Sequence, residues 1–134
     1  MKKICKTCKK ELNIEHFQKN GDFYRTECKE CRNITIKRKW QENYELKKEY
    51  FKSLKTSCAK CNENRYYLID FHHIDAEEKE ICLSQIVKKT WSLKRTIKAL
   101  EEESKKCICL CSNCHREFHH FEREEGITIE EYLR

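Results

Sequence analysis

Hydrophobic positions are sparse along this chain and change period several times. Between Lys2 and Cys31 short apolar pieces alternate with charged residues around Asn20-Gly21, a pattern that predicts two short irregular strands joined by a turn. From Arg32 to about Lys55 the period lengthens. Ile36, Trp40, Tyr44, Phe51 and Leu54 fall near one face of a helix, with lysines and arginines around it. The run RYYLIDFHHID is aromatic and β-branched and predicts a strand ending near His73. Residues 76–105 read as a helical insertion, clearest in SLKRTIKALEEESKK, and KCICLC reads as a second short strand. CSNCHREFHHFEREE then opens a helix that Gly126 closes, and Thr128 caps a last short helix over TIEEYLR.

Composition sharpens this picture, because the chain has too little apolar material to fold on burial alone. Its 134 residues are 38% hydrophobic and 39% charged, with no proline and two glycines. So polar a chain needs a staple. Eleven cysteines supply it, eight of them in four C-x-x-C pairs: Cys5/Cys8, Cys28/Cys31, Cys58/Cys61 and Cys111/Cys114. No internal repeat longer than these knuckles is visible. The N-terminus MKKICKTCKK lacks the apolar core of a signal peptide, and no run is long enough to span a membrane. Metal-bound thiolates in a reducing cytoplasm therefore explain the cysteines better than disulfides do.

The spacing C-x₂-C-x₁₉-C-x₂-C predicts one structural zinc on Cys5, Cys8, Cys28 and Cys31. A second structural zinc on Cys58, Cys61, Cys111 and Cys114 would close a gap of 49 residues. That closure is costly in loop entropy, and a structural zinc offsets it with roughly 10 kcal/mol or more. Cys107 and Cys109 alternate with Cys111 as competing ligands. With Cys82 they read as small buried side chains. The fold class expected is a small zinc-stapled α+β protein: a Cys₄ module over residues 1–32, a basic linker helix over 33–57, and a strand–strand–helix domain over 58–134.

Charge is uneven between these parts. Residues 1–57 carry 16 Lys/Arg against 8 Asp/Glu, and residues 58–134 carry 13 against 15. With two Cys₄ zinc sites charged at −2 each, the halves become about +6 and about −4. The basic half suits a polyanion, with Lys37, Arg38, Lys39, Lys47 and Lys48 as the residues placed to meet phosphates.

The histidines carry the chemistry. His115 and His119 are spaced i, i+4, so both leave one helical face one turn apart, as two ligands of one metal would. His72 and His73 are adjacent on a strand and point to opposite sides, so only one of them can join that pair. His16 reads as a surface residue beside the core Phe17, and His120 as exposed.

DFHH followed by C-x-x-CH-x-x-x-H resembles the HNH endonuclease superfamily, in its ββα-metal form with a Cys₄ zinc beneath the helix. It is similar to the variant with a paired His-His found in phage-encoded HNH endonucleases and colicin-type nucleases. The resemblance covers residues 58–123, and the N-terminal module resembles zinc modules that accompany such domains. It implies a DNA endonuclease that leaves 5′-phosphate and 3′-hydroxyl ends in a bacterial or phage-infected cytoplasm, with a homodimer as one route to double-strand cutting. In its terms His72, His115 and His119 hold a catalytic divalent ion (Mg²⁺, Mn²⁺, Ni²⁺ or Zn²⁺), His73 is the general base, and Asp70 supports the site. The family's central Asn falls here at Lys106, which leaves the second zinc to pin the loop between the strands. The rival expectation is a noncatalytic zinc-dependent DNA-binding or regulatory protein, which would keep the eight cysteines and have no need of His73.

Overall fold

In the computed structural model, which describes Met1–Arg134, the N-terminal residues form two hairpins in place of the expected pair of strands. Strand β1 (Lys2–Ile4) pairs with β2 (Glu11–Asn13), and β3 (Phe17–Asn20) pairs with β4 (Phe23–Cys28), all antiparallel. Gly21 turns the second hairpin at φ 63°, a backbone state that glycine enters without steric cost. The buried centre here is Cys5, Phe17 and Cys28, with Cys8, Leu12 and Cys31 against it. Four of those six side chains are thiols, so this core is a metal-ligand set with two hydrophobic neighbours.

Helix α1 (Lys29–Ser53) begins at the knuckle itself, a few residues before the expected start, because Cys31 must return towards Cys28 within one turn. Its end tightens through three-residue bonds, Leu54 N–H to Phe51 O and Lys55 N–H to Lys52 O. The expected apolar stripe holds along only half its length. Ile36 and Trp40 are 48% and 52% exposed, whereas Tyr44, Tyr50, Phe51 and Leu54 pack on buried residues. The chain divides into two compact units, Met1–Asn43 and Tyr44–Arg134, and α1 contributes to both.

In the second unit β5 (Ile69–His73) pairs antiparallel with β6 (Cys107–Cys111), from Ile69 opposite Cys111 to His73 opposite Cys107. The insertion between them is two helices, α2 (Leu83–Lys88) and α3 (Leu93–Ser104). Lys47 decides where they break. It is 3% exposed, and its Nζ donates to Lys89 O at 2.9 Å and Trp91 O at 2.6 Å, tying down the connection. Burial pushes its pKa down. These bonds remove Lys47 from the expected phosphate-binding set, since a buried ammonium bonded to two carbonyls cannot also meet DNA.

After β6 comes α4 (Ser112–Glu125), ended by Gly126 at φ 67°, and then α5 (Ile129–Leu133). Thr128 and Glu131 form a reciprocal capping box at the start of α5. Ile69, Leu110, Phe118, Ile129 and Tyr132 make one core with Cys58, Cys109 and Cys111, and Cys114 packs against it. Leu83, Ile86, Val87 and Leu100 make another, under the end of α1. Cys109 is buried as expected, while Cys82 and Cys107 are half-buried. No helix is long and apolar enough to cross a membrane.

Candidate metal centres and active site

Two cysteine foursomes assemble, and they are the two that the spacing predicts: Cys5/Cys8/Cys28/Cys31 and Cys58/Cys61/Cys111/Cys114. Within each, all sulfurs lie within 4.8 Å of one another. Cys61 Sγ and Cys111 Sγ stand 3.7 Å apart, close to the edge of about 3.8 Å of a tetrahedron with zinc–sulfur bonds of about 2.3 Å.

Both sites are built by the same local device, a tight turn closed by two backbone bonds. In the first, Lys9 N–H donates to Cys5 O at 3.0 Å and Cys5 N–H to Lys10 O at 3.0 Å. In the second, Asn62 N–H donates likewise to Cys58 O at 2.9 Å, and Cys58 N–H to Glu63 O at 2.8 Å. Lys9 and Asn62, each next to the second cysteine of its pair, are the only non-glycine residues with positive φ. The other two cysteines of each set stand at a strand end and in the first turn of the following helix.

Thiol acidity inside each set argues for a cation. The Cys28 amide, donating to Cys5 Sγ at 3.3 Å, brings Cys5 down to about 6 against the opposing effect of burial. Cys31, its thiol hydrogen-bonded to the Cys28 sulfur and desolvated, is pushed up to about 12. In the second set burial works to raise Cys58, but the amides of Cys111, Cys61 and Lys60 outweigh it and bring the thiol to about 6. Burial and the sulfurs of Cys111, Cys61 and Cys58 push Cys114 up to about 12. Each foursome thus favours one thiolate and opposes the fourth. A divalent ion reverses that opposition, since coordination deprotonates thiols outright. The donor sets fit structural zinc. Cys107, raised to about 11 chiefly by burial, lies outside the cluster.

The third cluster is His72, His115 and His119. His72 Nδ1 and His119 Nε2 each lie 3.1 Å from His115 Nε2. Strand β5 presents His72 towards α4, where its ring meets Phe118 edge-on at 4.9 Å. Burial first, then the neighbouring imidazoles, lowers His72 to about 4, so it keeps a lone pair at neutral pH. The outward nitrogens of the helical pair face carboxylates. His115 Nδ1 is 3.4 Å from Asp70 Oδ2, and His119 Nδ1 is 2.9 Å from Glu122 Oε2. A carboxylate behind a ligand imidazole fixes its tautomer and raises its basicity. Asp70 thereby stands beside the cluster, as the sequence leads one to expect. Glu122 escapes the sequence reading, although its spacing from His119, i, i+3, is visible there. Three imidazoles with their inner nitrogens this close, each with its other nitrogen or ring held by the fold, suit one divalent ion.

His73 points the other way, to α3. Its Nε2 lies 2.7 Å from Glu103 Oε1, and both side chains are nearly buried, at 10% and 5% exposure. It is therefore anchored, where strand alternation alone leaves it free. Nothing in the sequence singles out Glu103. Burial opposes its charge, but bonds from His73 and Lys106 outweigh that and hold its pKa below the ordinary carboxylate range. Glu103 also accepts the Glu80 amide at 3.4 Å. Lys106 donates to Glu103 Oε2, Glu80 Oε1 and Glu78 O at 3.0–3.2 Å. The loop after β5 is thus pinned by Lys106 and Glu103, and not by the zinc set as expected.

His73, His115 and Asp70 line a cleft of about 360 Å³ together with Lys55 and Lys79. Elsewhere His16 and His120 are exposed, as expected. Lys37, Arg38 and Lys39 are exposed on α1, and Lys48 pairs with Glu45 at 3.2 Å. No protein-family model matches the chain, and no curated protein or solved structure matches it significantly.

Proposed function

We propose that the chain is a metal-dependent DNA endonuclease of the HNH type, its β5–β6–α4 unit serving as the ββα-metal domain. The observation that supports this best is the parting of two adjacent histidines. His72 joins a three-imidazole cluster, while His73 is held from behind by a buried carboxylate.

With Nε2–H donated to Glu103, His73 keeps its Nδ1 lone pair for the cleft. That is the tautomer a general base needs, and Glu103 stabilises the imidazolium formed when His73 takes a proton from the attacking water. A divalent ion on His72, His115 and His119 would polarise the phosphate and stabilise the charge on the leaving 3′-oxygen. Asp70 and Glu122 orient the helical ligands, and Lys55 and Lys79 place positive charge along the cleft. The products are 5′-phosphate and 3′-hydroxyl ends. A noncatalytic DNA-binding protein would use the cysteine sites equally well, but it gives no role to an oriented imidazole beside a three-His cluster.

The test is supercoiled plasmid with Mg²⁺, Mn²⁺ or Ni²⁺. Relaxed and linear forms should appear with at least one ion and vanish in His73→Ala. Plasmid left supercoiled under all three conditions overturns the proposal.

A further inference from the structure

Beside the His73 cleft runs a second groove, of about 250 Å³, whose chemistry the endonuclease reading leaves unused. It is lined by Lys48, Lys52, Lys55, Lys88, Tyr66 and Tyr67, among others. No carboxylate lines it, and Lys48 and Lys52 make exposed ion pairs with Glu45 and Glu49 at 3.2 and 3.1 Å. Tyr66 and Tyr67 are 46% and 65% exposed, at the turn that leads into β5. Their rings meet edge-on at 5.5 Å and 88°, so within the pair the edge of one ring covers only one face of the other. Lysines lie over the neighbouring rings: Lys52 Nζ is 5.2 Å from the Tyr66 centroid, and Lys55 Nζ is 5.1 Å from that of Phe51.

Two large exposed aromatics contribute nothing to either core, so their exposure is not explained by folding. Lysine heads with ring faces between them match the chemistry of a nucleic-acid strand, which alternates phosphates with flat bases. A duplex exterior offers only half of that match. Its phosphates would meet the lysines, but its base faces are covered by their neighbours. The groove also adjoins the cleft, since Phe51, Lys55 and Ser84 line both.

We infer that this groove binds unpaired nucleotides of a DNA strand, stacking bases on Tyr66 and Tyr67 and leading the same strand to His73. The substrate class is then DNA with a single-stranded segment beside the scissile bond, such as a flap, a frayed end or a junction. This inference rests on the endonuclease reading for the identity of the cleft, but its test does not depend on cutting.

The measurement uses the full-length His73→Ala chain without added divalent ion, and two probes: a blunt duplex, and the same duplex with a single-stranded tail carrying 2-aminopurine near the junction. The tail should tighten binding about tenfold or more, and the 2-aminopurine fluorescence should be quenched by stacking. Tyr66→Leu with Tyr67→Leu should remove both effects and leave blunt-duplex affinity unchanged. Tyr66→Phe with Tyr67→Phe, which keeps the rings, should retain them. Equal affinity for the two probes, quenching that survives the leucine pair, or failure to bind either probe would overturn the inference. Plasmid that stays uncut in the supercoiled-plasmid assay tells against the nuclease and leaves this result standing.

Discussion

The two cysteine sites are one arrangement used twice, with different outcomes. Each joins a knuckle closed by the same pair of backbone bonds to a strand-end cysteine and a cysteine in the first helical turn. In the first, the helix continues from Cys31 with Arg32 and, four residues on, Ile36; in the second it continues from Cys114 with His115 and His119. Both strand-end cysteines belong to paired ribbons, Cys28 opposite Phe17 and Cys111 opposite Ile69. Only β5 of the second carries histidines, and it brings His72 to His115 and His119 and His73 to Glu103. A knuckle and a helix start therefore suffice for a structural metal. A three-histidine cluster needs, in addition, a paired strand that carries a ligand of its own, as β5 does with His72 and β3 does not.

Breaking either metal set should have the largest effect, and an unequal one. Cys111→Ser should lower zinc from about two ions per chain to about one and unfold the second unit. The reason is that a structural zinc contributes as much as or more than the roughly 5–15 kcal/mol by which a domain is usually stable. Cys5→Ser should cost one zinc as well, but leave the near-ultraviolet signal of Trp91 and its neighbours. Elemental analysis with circular dichroism checks both.

The next effect concerns the histidines that only the second site's paired strand carries. His73→Ala should slow cutting by about 10²–10⁴-fold with zinc content unchanged. Glu103→Gln should slow it by about 10–100-fold, as for carboxylates behind working imidazoles. Conversely, Arg32→His with Ile36→His should give the first site an i, i+4 pair that takes up Ni²⁺ weakly and cuts nothing, since the first unit has no counterpart of His72 or His73. Nickel titration alongside the plasmid assay reads both halves of that expectation.

The lysines of α1 divide in the same way. Reversing charge at Lys37, Arg38 and Lys39 should weaken DNA binding and lower the log–log salt slope by about 0.9 for each phosphate no longer neutralised. Lys47→Met should leave that slope alone and destabilise the chain by about 1–3 kcal/mol, because the Lys89 and Trp91 carbonyls lose a charged donor. Salt-dependent binding and urea denaturation separate the two.

The smallest effect is one of pH. In the metal-free cluster His72 titrates at about 4, below the ordinary value near 6.5, so the unfolded chain binds a proton in that interval that the folded chain refuses. Stability should fall as pH drops from about 6.5 to about 4, and the loss should be complete below. His72→Asn lacks that dependence. Comparing the urea midpoints of the two proteins at about pH 7 and about pH 5 isolates it, since the cysteine contributions are common to both.

Sequence alone determined the parts whose cause is local. C-x-x-C spacing selected the eight ligands, the i, i+4 interval put His115 and His119 on one face, and Gly126 and Thr128 marked a helix end and a helix start. Strand alternation alone separated His72 from His73. Tertiary structure decided what depends on partners remote in the chain. Glu103 reaches His73 across 30 residues, and nothing in LEEESKK distinguishes it from its neighbours until α3 is packed on β6. Lys47 reads as one more basic residue until the α2–α3 connection closes over it, and Lys106 reads as a missing Asn until its three acceptors converge. A charged side chain is defined by the groups that surround it after folding, and those groups are set by which elements pack together. Spacing along the chain fixes ligands that share an element or a knuckle, and it is silent about the carboxylate that arrives from another helix.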